Sequence, residues 1–180
     1  MRATALALPG VLLIEHRLFD DARGAFFESW NERDFAAAGI AARFVQENVS
    51  RSRAYVLRGL HYQIRQTQGK LVRVLAGSIF DAVVDLRRSS PTFGQSCTVQ
   101  LDATAARSLW VPPGFAHGFL VLSERAEFLY KTTDYWYPEH ERTLLWNDPA
   151  IGIEWPVNGA PLVAPKDAKG TAFAEAAVYP

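Results

Sequence analysis

Short runs of apolar and β-branched residues, separated by turn residues, dominate the chain. Runs of this length and spacing are typical of β-strands. They predict strands near residues 11–19, 25–30, 43–50, 54–63, 69–75, 79–86, 95–101, 107–111, 117–122 and 126–136. The tripeptide Ala-Gly-Ser at 76–78 predicts a tight turn between two of these strands. The Pro-, Gly- and Ser-rich stretches 87–94 and 112–114 predict loops.

One segment, NERDFAAAG at residues 31–39, carries a convincing helical pattern. Asn31 can cap the helix, acidic residues occupy its first turn, and Gly39 can end it. After Trp146 the chain becomes rich in proline, which predicts short helical turns or loops. We therefore expect an all-β domain spanning residues 1–180, either a sandwich or a jelly-roll barrel, with extended N-terminal strands and a few short peripheral helices.

Composition narrows the class of protein further. Nineteen basic and nineteen acidic side chains cancel, so the charge balance gives no general footprint for nucleic acid or an anionic membrane. A single cysteine, Cys97, excludes an internal disulfide and a multi-cysteine zinc site. No apolar run reaches the roughly 18 residues of a membrane helix, and the N-terminal residues lack a signal-peptide pattern. We expect a cytoplasmic protein with no nucleic-acid or membrane partner.

The segment VLRGLHYQ, residues 56–63, places polar side chains in a strand that otherwise resembles a buried one. In a regular strand Arg58 and His61 would point to opposite faces. Gly59 between them predicts a bulge or a close backbone approach that could re-aim them. From spacing alone, His61 is either a hydrogen-bonded core histidine or a catalytic base.

Polar side chains recur in two other predicted strands. Lys70 and Arg73 lie in GKLVRV, where a solvent-facing strand edge is the simpler interpretation. Gln46, Asn48 and Ser50 share one strand face at period two. Three uncharged polar groups in a row suit hydrogen bonds to a base or a sugar, and they equally suit a polar outer sheet face.

Three further stretches carry candidate binding residues. DDARGAFFESW contains Arg23, Phe26 and Glu28, which alone form a weak signal. His117 follows the Pro-Gly turn of WVPPGFAHGF, where a buried turn histidine is the simpler interpretation. Trp136 lies in the aromatic-rich FLYKTTDYWYPEHER, where it could stack on a planar ring, although most aromatic clusters belong to cores.

Metal ligation has little support in the sequence. A metal-binding barrel of this type usually needs two histidines separated by one residue, followed by a glutamate. Here the segment reads His-Tyr-Gln, so the second histidine is missing. His61 and His117 alone are too few ligands for a typical metal site. We therefore predict no metal, and we expect His16 and His140 to be ordinary surface or loop residues.

The segments RGLHYQ, QGKLVRVLAGSIFDAVVDLR, VPPGFAHGF, YKTTDYW, LLWNDPAIGIEWP and PKD occur in this order. Together they resemble the dTDP-4-dehydrorhamnose 3,5-epimerase family, and the resemblance extends from DARGAFFESW to PKD. It implies a cupin-like jelly roll, normally a homodimer, with no metal and no redox cofactor. It also implies a role in making nucleotide-activated L-rhamnose for bacterial surface polysaccharides such as lipopolysaccharide O-antigen.

The resemblance assigns catalytic roles to four residues. The implied substrate is dTDP-4-dehydro-6-deoxy-D-glucose, whose C3 and C5 hydrogens are both α to the C4 ketone. By resemblance, His61 is the base, and Asp167 orients it and stabilises its imidazolium. Lys70 matches the cation near the developing oxyanion, and Tyr130 matches the proton donor on the opposite face.

The same resemblance implies a set of substrate-binding residues. Arg23 and Arg58 match contacts at and near the pyrophosphate, where a planar guanidinium suits phosphate oxygens. The other matched positions are Phe26, Glu28, Gln46, Asn48, His117, Trp136, Glu141 and Lys166. Trp136 stands where the family commonly has a tyrosine that stacks on thymine, and VAPKD replaces the more usual LS-x-KD. A neighbouring subunit can contribute to the nucleotide site in the family, so Arg23 to Glu28 could act in cis or across a dimer.

Three alternative functions are compatible with this fold. A mono-epimerase acting only at C3 or C5 keeps the His, Asp and Tyr, and no sequence feature separates it from the 3,5-epimerase. A non-catalytic sugar-nucleotide-binding jelly roll is disfavoured, because His61, Lys70, Tyr130 and Asp167 are all retained. A metal-dependent oxygenase is disfavoured by the missing second histidine.

Overall fold

The computed structural model describes residues 1–180 and consists mainly of β-strands. None of its helices is long and apolar enough to span a membrane. The strands are β1 (Arg2–Ala5), β2 (Leu12–Glu15), β3 (Phe19–Asp21), β4 (Gly24–Phe26), β5 (Gln46–Arg53), β6 (Val56–Gln63), β7 (Lys70–Ala76), β8 (Ser78–Asp85), β9 (Ser96–Asp102), β10 (Arg107–Val111), β11 (Phe115–Val121), β12 (Arg125–Thr132), β13 (Glu141–Thr143) and β14 (Leu162–Val163). The helices are α1 (Glu32–Ala37), α2 (Pro165–Ala168) and a 3₁₀ turn at Phe173–Glu175.

Two large sheets form the body of the fold. The first has the order β1-β2-β10-β7-β12-β5. The second has the order β13-β6-β11-β8-β9, with β14 added parallel to β6. From β5 to β8 and from β9 to β12, successive strands alternate between the two sheets. This is the architecture of a jelly roll, so the predicted all-β fold is confirmed and the barrel is preferred over the simple sandwich.

Apolar side chains from both sheets meet inside the barrel. Val72 and Phe128 of the first sheet and Ile79, Val83 and Phe119 of the second belong to one buried cluster. Each fully buried side chain of this size contributes roughly 1.5–3 kcal/mol to folding. The alternation of apolar and polar positions that predicted the strands therefore also fixes which face of each strand lines the interior.

The outer faces of both sheets are covered by the chain ends. Helix α1 places Phe35 on the first sheet, against Ile14 and Trp110. The proline-rich C-terminal segment lies on the second sheet, where Ile151 is buried and Trp155 packs against the same apolar cluster. The C-terminal segment, predicted as loops and short helical turns, thus shields the outer face of the second sheet from solvent.

Six predicted strands, β6 to β11, agree with the structure to within two residues at each end. The predicted strand at 126–136 ends at Thr132, because the Thr132 hydroxyl donates to the Asp134 carbonyl as the chain turns away. The predicted strand at 43–50 begins later, at Gln46. The predicted helix is confirmed, with the Asn31 side chain accepting hydrogen bonds from the amides of Arg33 and Asp34.

The N-terminal predictions were less accurate. The predicted strands at 11–19 and 25–30 are shortened to β2 and to the small hairpin of β3 and β4. Strand β1 was missed, because its four residues are strand only by pairing with β2. The hairpin pairs with neither large sheet, so no buried partner face imposes a clear alternation on its sequence.

Gly59 on β6 and Gly118 on β11 cross at a close backbone contact. A Cβ at Gly59 would lie 2.6 Å from the Gly118 Cα. Gly59 also has φ of +126°, and Gly24 has a similar φ of +120° with nothing within 4 Å of its would-be Cβ. The two glycines therefore share the backbone requirement but differ in the space available.

We expect Gly59→Ala to be less stable than Gly24→Ala by about 1–3 kcal/mol, the usual cost of forcing an extra methyl group into packed structure. Urea unfolding of both variants at one protein concentration measures the difference. Equal free energies of unfolding would contradict the close contact, since backbone strain is common to both positions.

Candidate active site

A cavity of about 270 Å³ opens between the two sheets. Its walls come from strands of both sheets and from α2. Seventeen residues line it, and those with chemistry of interest are Ser50, Arg58, His61, Lys70, His117, Tyr130, Trp136, Glu141, Lys166 and Asp167. The fold thus brings together residues separated by more than a hundred positions in sequence.

Arg58 and His61 line the same cavity, although a regular strand would turn them to opposite faces. The reason lies at Gly59, whose φ of +126° is open mainly to glycine. The pairing of β6 with β11 also shifts register between His117 and Phe119. The irregularity predicted from Gly59 is therefore present, and it turns both side chains towards one space.

His61 forms a short hydrogen bond with a buried carboxylate. Its Nε2 lies 2.6 Å from Oδ1 of Asp167, which is only 1% exposed. The Gly59 amide donates to the other oxygen, Oδ2, at 3.1 Å. Burial alone would raise the pKa of Asp167, but the hydrogen bond and charge of His61, with the Gly59 amide, hold that pKa below its usual value. Asp167 is thus a carboxylate at neutral pH.

The Asp167 contact fixes the tautomer of a neutral His61. A carboxylate accepts but does not donate, so Nε2 carries the proton and Nδ1 has a free lone pair. No protein group hydrogen-bonds to Nδ1. A partly exposed imidazole with one free nitrogen and a buried carboxylate behind it has the arrangement of a general base.

Lys70 is buried beside this pair rather than on a solvent-facing strand edge, which corrects the simpler interpretation of GKLVRV. It is 8% exposed, and its Nζ donates to the His61 carbonyl at 3.0 Å. Burial lowers the pKa of Lys70 to about 8, against the opposing effect of the Glu141 and Asp81 carboxylates. The ammonium retains two further donors for a bound oxygen.

Tyr130 on β12 supplies a hydroxyl to the same cavity. Burial raises its pKa, and the negative charge of Glu141 adds to that effect. The hydroxyl makes no hydrogen bond within the protein, while the ring packs 5.8 Å from that of Phe128. Tyr130 is therefore a neutral O–H donor that is free to serve a bound molecule.

His117 is buried on β11 and also lines the cavity, so it is more than a turn histidine. Its Nε2 lies 2.9 Å from both oxygens of Asp81, which has no exposed surface. Burial raises the pKa of Asp81, and the charges of His117 and Lys70 oppose this. The sequence-based predictions did not include Asp81, although an aspartate between apolar residues in SIFDAVV, residues 78–84, was a usable signal.

Trp136 marks the open side of the cavity. The residue is 53% exposed, and its backbone amide donates to Oε1 of Gln46 at 3.0 Å. Gln46 in turn donates to Oδ1 of Asn48 at 3.0 Å. Gln46 and Asn48 do not line the cavity directly, but they share a strand face with Ser50, whose buried hydroxyl has no partner and does line it.

Two cationic groups complete the wall. Arg58 uses its Nε to bond the Ser52 hydroxyl at 3.0 Å and makes no ion pair, so its terminal nitrogens are free for an anion. Lys166 forms an ion pair with Glu141, with Nζ 3.1 Å from Oε2. Arg58, Glu141 and Lys166 all line the cavity. The resemblance had assigned substrate-binding roles to the same three residues.

Arg23, Phe26 and Glu28 lie outside the cavity of this chain. Arg23 pairs with Asp21 at 2.6 Å on the exposed β3–β4 hairpin, and Phe26 is 70% exposed. The single chain therefore does not bring these three residues to the cavity, and their binding role stays a prediction. The hairpin forms no strand pairing with either large sheet.

The remaining histidines differ from expectation in one case. His16 is buried, not on the surface, and its Nε2 lies 2.8 Å from the Ser108 hydroxyl. Burial and the nearby charge of Arg73 lower its pKa to about 4. His, Cys, Asp and Glu side chains nowhere form a group of three or more that could hold a metal ion.

Comparison with known proteins places the chain in a family. A family model described as dTDP-4-dehydrorhamnose 3,5-epimerase matches residues 5–175. A protein of that name from Pseudomonas aeruginosa is 60% identical over 181 residues, with complete coverage of both chains.

Solved structures give the same picture. A dTDP-6-deoxy-D-glucose-3,5-epimerase from Legionella pneumophila, in complex with dTDP-4-keto-L-rhamnose, is 46% identical with a TM-score of 0.94, over 97% of this chain and 93% of that one. A 3′-monoepimerase from Streptomyces bikiniensis, in complex with dTDP-quinovose, is 31% identical with a TM-score of 0.88, over 94% of this chain and 86% of that one. This chain belongs to the dTDP-4-dehydrorhamnose 3,5-epimerase family.

Proposed function

We propose that the chain converts dTDP-4-dehydro-6-deoxy-D-glucose into dTDP-4-dehydro-L-rhamnose by epimerisation at C3 and C5. The observation that carries this proposal is the His61–Asp167 hydrogen bond, at 2.6 Å, in one cavity with the hydroxyl of Tyr130 and the ammonium of Lys70. These groups are a base, an acid and an oxyanion stabiliser, which is the set that α-carbon epimerisation requires. The reaction needs no change in oxidation state.

The reaction proceeds in two proton transfers at each carbon. His61 takes the proton α to the C4 ketone, the C–H electron pair moves into an enolate, and Asp167 stabilises the imidazolium. Lys70 donates a hydrogen bond to the enolate oxygen, which carries the developing negative charge. Tyr130 then gives its proton to the carbon from the opposite face, and the configuration inverts. Before the next inversion the His61 imidazolium releases its proton to solvent and the tyrosinate takes one up, so both groups return to their starting states.

The role of Lys70 predicts a pH dependence. The cation exists below its pKa, and burial lowers that pKa to about 8, so oxyanion stabilisation is lost as the pH rises through about 8. We expect kcat/KM of the wild-type enzyme to fall with a midpoint near this pH, since kcat/KM reports groups of the free enzyme. Tyr130 does not contribute to this limb, because its pKa is raised.

Rates across the neutral and alkaline range, for the wild type and Lys70→Met, check this assignment. The low residual rate of Lys70→Met should lack the alkaline limb. If kcat/KM of the wild type stays level beyond pH 9, roughly one unit above the midpoint, Lys70 does not stabilise the oxyanion as a cation.

The nucleotide accounts for the outer part of the site. Arg58 suits the pyrophosphate, because its terminal guanidinium nitrogens have no carboxylate partner. Trp136 offers an exposed aromatic face on which thymine can stack. We assign further contacts with the substrate to Gln46, Asn48, His117, Glu141 and Lys166.

We further propose that the chain is a cytoplasmic homodimer in which the β3–β4 hairpin reaches a neighbouring subunit. Isolated two-stranded hairpins are marginal in water, and this one exposes both Phe19 and Phe26. A second subunit would cover these rings and receive Arg23, Phe26 and Glu28 at its nucleotide site. Each subunit, residues 1–180, would then be one domain with an exchanged arm.

A coupled conversion tests the proposed reaction. The purified protein, dTDP-4-dehydro-6-deoxy-D-glucose and a dTDP-4-dehydrorhamnose reductase with NADPH should yield dTDP-L-rhamnose. The similarity to a 3′-monoepimerase makes single-centre epimerisation the second candidate, and that reaction would yield a sugar inverted at one carbon. Unchanged substrate would contradict both.

A further inference from the structure

In the segment Asp134–Tyr137, here the Trp136 loop, the backbone amides donate only to side chains, while the Tyr137 carbonyl accepts from the backbone amides of His140 and Glu141. Its three amides at 135, 136 and 137 have no backbone acceptor. The Tyr135 amide donates to Oδ1 of Asp134 at 2.8 Å, and the Trp136 amide donates to Oε1 of Gln46 at 3.0 Å. The Tyr137 amide donates to Oε1 of Gln63 at 2.7 Å. Side-chain geometry therefore sets the position of the indole.

Gln63 makes the most extensive of these contacts. It ends β6, two residues after His61, and is 2% exposed. While Oε1 accepts from Tyr137, Nε2 donates to the carbonyl of Tyr135 at 3.2 Å and to that of Gln66 at 2.7 Å. The Gln63 side-chain amide thus bonds the residues on both sides of Trp136. Its NH2 group donates two hydrogen bonds, and its oxygen accepts one.

The backbone of Gln63 is fixed as well. Its carbonyl accepts from the Tyr179 hydroxyl at 2.6 Å, from the C-terminal segment. On the other side of the loop, the Asp134 carbonyl accepts from Nε2 of Gln68 at 3.0 Å and from the Thr132 hydroxyl at 2.9 Å. The Trp136 loop is therefore clamped at its base, and Gln63 is the one clamp that spans the tryptophan.

We propose that Gln63 is a positioning residue for substrate binding: through the Trp136 loop it sets the orientation of the indole and so the affinity for the nucleobase, with no part in proton transfer. This rests on the proposed function, in which Trp136 stacks on thymine. It explains why the position two residues beyond His61 carries a buried amide. Only a group that both donates and accepts can bond the Tyr135 carbonyl and the Tyr137 amide together.

Gln63→Glu tests the proposal, because a carboxylate keeps the shape and the acceptor but loses both donors. We expect KM for the sugar nucleotide and Kd for dTDP each to rise about tenfold, the size of one lost net hydrogen bond, while kcat changes less than about threefold. The matched control is Gln100→Glu, the same change on the exposed face of β9, which should leave all three constants unaltered.

A double-variant comparison separates positioning from a general structural role. In a Trp136→Ala background, Gln63→Glu should add less than about a twofold further rise in KM, because coupled residues are non-additive. Independent, multiplying effects would overturn the proposal. So would a loss confined to kcat. Failure of the proposed function is distinguishable, since the wild type would then bind no dTDP or turn over no substrate.

Two further measurements keep the proposal testable if Gln63→Glu does not fold. Gln63→Met keeps the apolar volume without any hydrogen bond and should give the same rise in KM. In the wild type, hydrogen exchange at the Tyr137 amide should be slow despite its position in a loop. Rapid exchange there would show that the Gln63 contact is not maintained, and it would overturn the proposal.

Discussion

His61→Ala should lower turnover by about a thousandfold, within the range attributed to general acid–base catalysis, and leave dTDP affinity within about threefold of the wild type. The imidazole is the group in the cavity with a free nitrogen and a buried carboxylate behind it. The nucleotide contacts come from other side chains, so binding should survive. NMR of product formation and calorimetric titration with dTDP measure the two quantities.

His61→Asn is the companion variant. The removal of His61 leaves the buried Asp167 with only the Gly59 amide as partner, and an asparagine can restore a donor without being a base. Both variants should be inactive, and the asparagine variant should be the more stable one. More than a few per cent of the wild-type rate in either variant would show that His61 is not the base.

Tyr130→Phe should separate the two proton transfers. The substitution keeps the ring packed 5.8 Å from Phe128 and removes only the hydroxyl. Product formation should fall by about a hundredfold or more, the lower range for a lost general acid. Exchange of the substrate C3 and C5 hydrogens with solvent should persist, because His61 can still take a proton and return a deuteron to the same face.

Mass spectrometry of recovered substrate after incubation in D2O measures this exchange, with NMR for inversion. Deuterated but uninverted substrate is the expected species. If exchange and product formation fall equally, Tyr130 acts before or during proton removal, and its role as the acid on the opposite face is wrong.

The sequence predicted those parts of the fold that depend on local patterns. Strands β6 to β11 pack on the core through alternating side chains, and the α1 cap at Asn31 is a contact within three residues. Strand β1 depends on a partner strand, and the β3–β4 hairpin pairs with neither large sheet. Local periodicity carries little information about such elements.

The site could be predicted only through family resemblance. His61 and Asp167 are 106 residues apart, and no spacing rule connects them. Gly59 predicted an irregularity between Arg58 and His61, but not that both side chains would reach one cavity, because that depends on the contact of Gly59 with Gly118 on β11. The roles of Asp81 and Gln63 were not predicted for a similar reason. Asp81 acts through its contact with His117, and Gln63 through its hydrogen bonds to the Trp136 loop, and both contacts form only in the folded chain.

The most direct test of the catalytic account is NMR of the wild-type protein with dTDP-4-dehydro-6-deoxy-D-glucose in D2O, following deuterium at each sugar carbon. The account predicts deuterium at both C3 and C5, with inversion at both. Deuterium at one carbon alone would replace the 3,5-epimerase with a mono-epimerase. Exchange at neither carbon, with dTDP still bound, would contradict the catalytic account and leave a sugar-nucleotide-binding jelly roll.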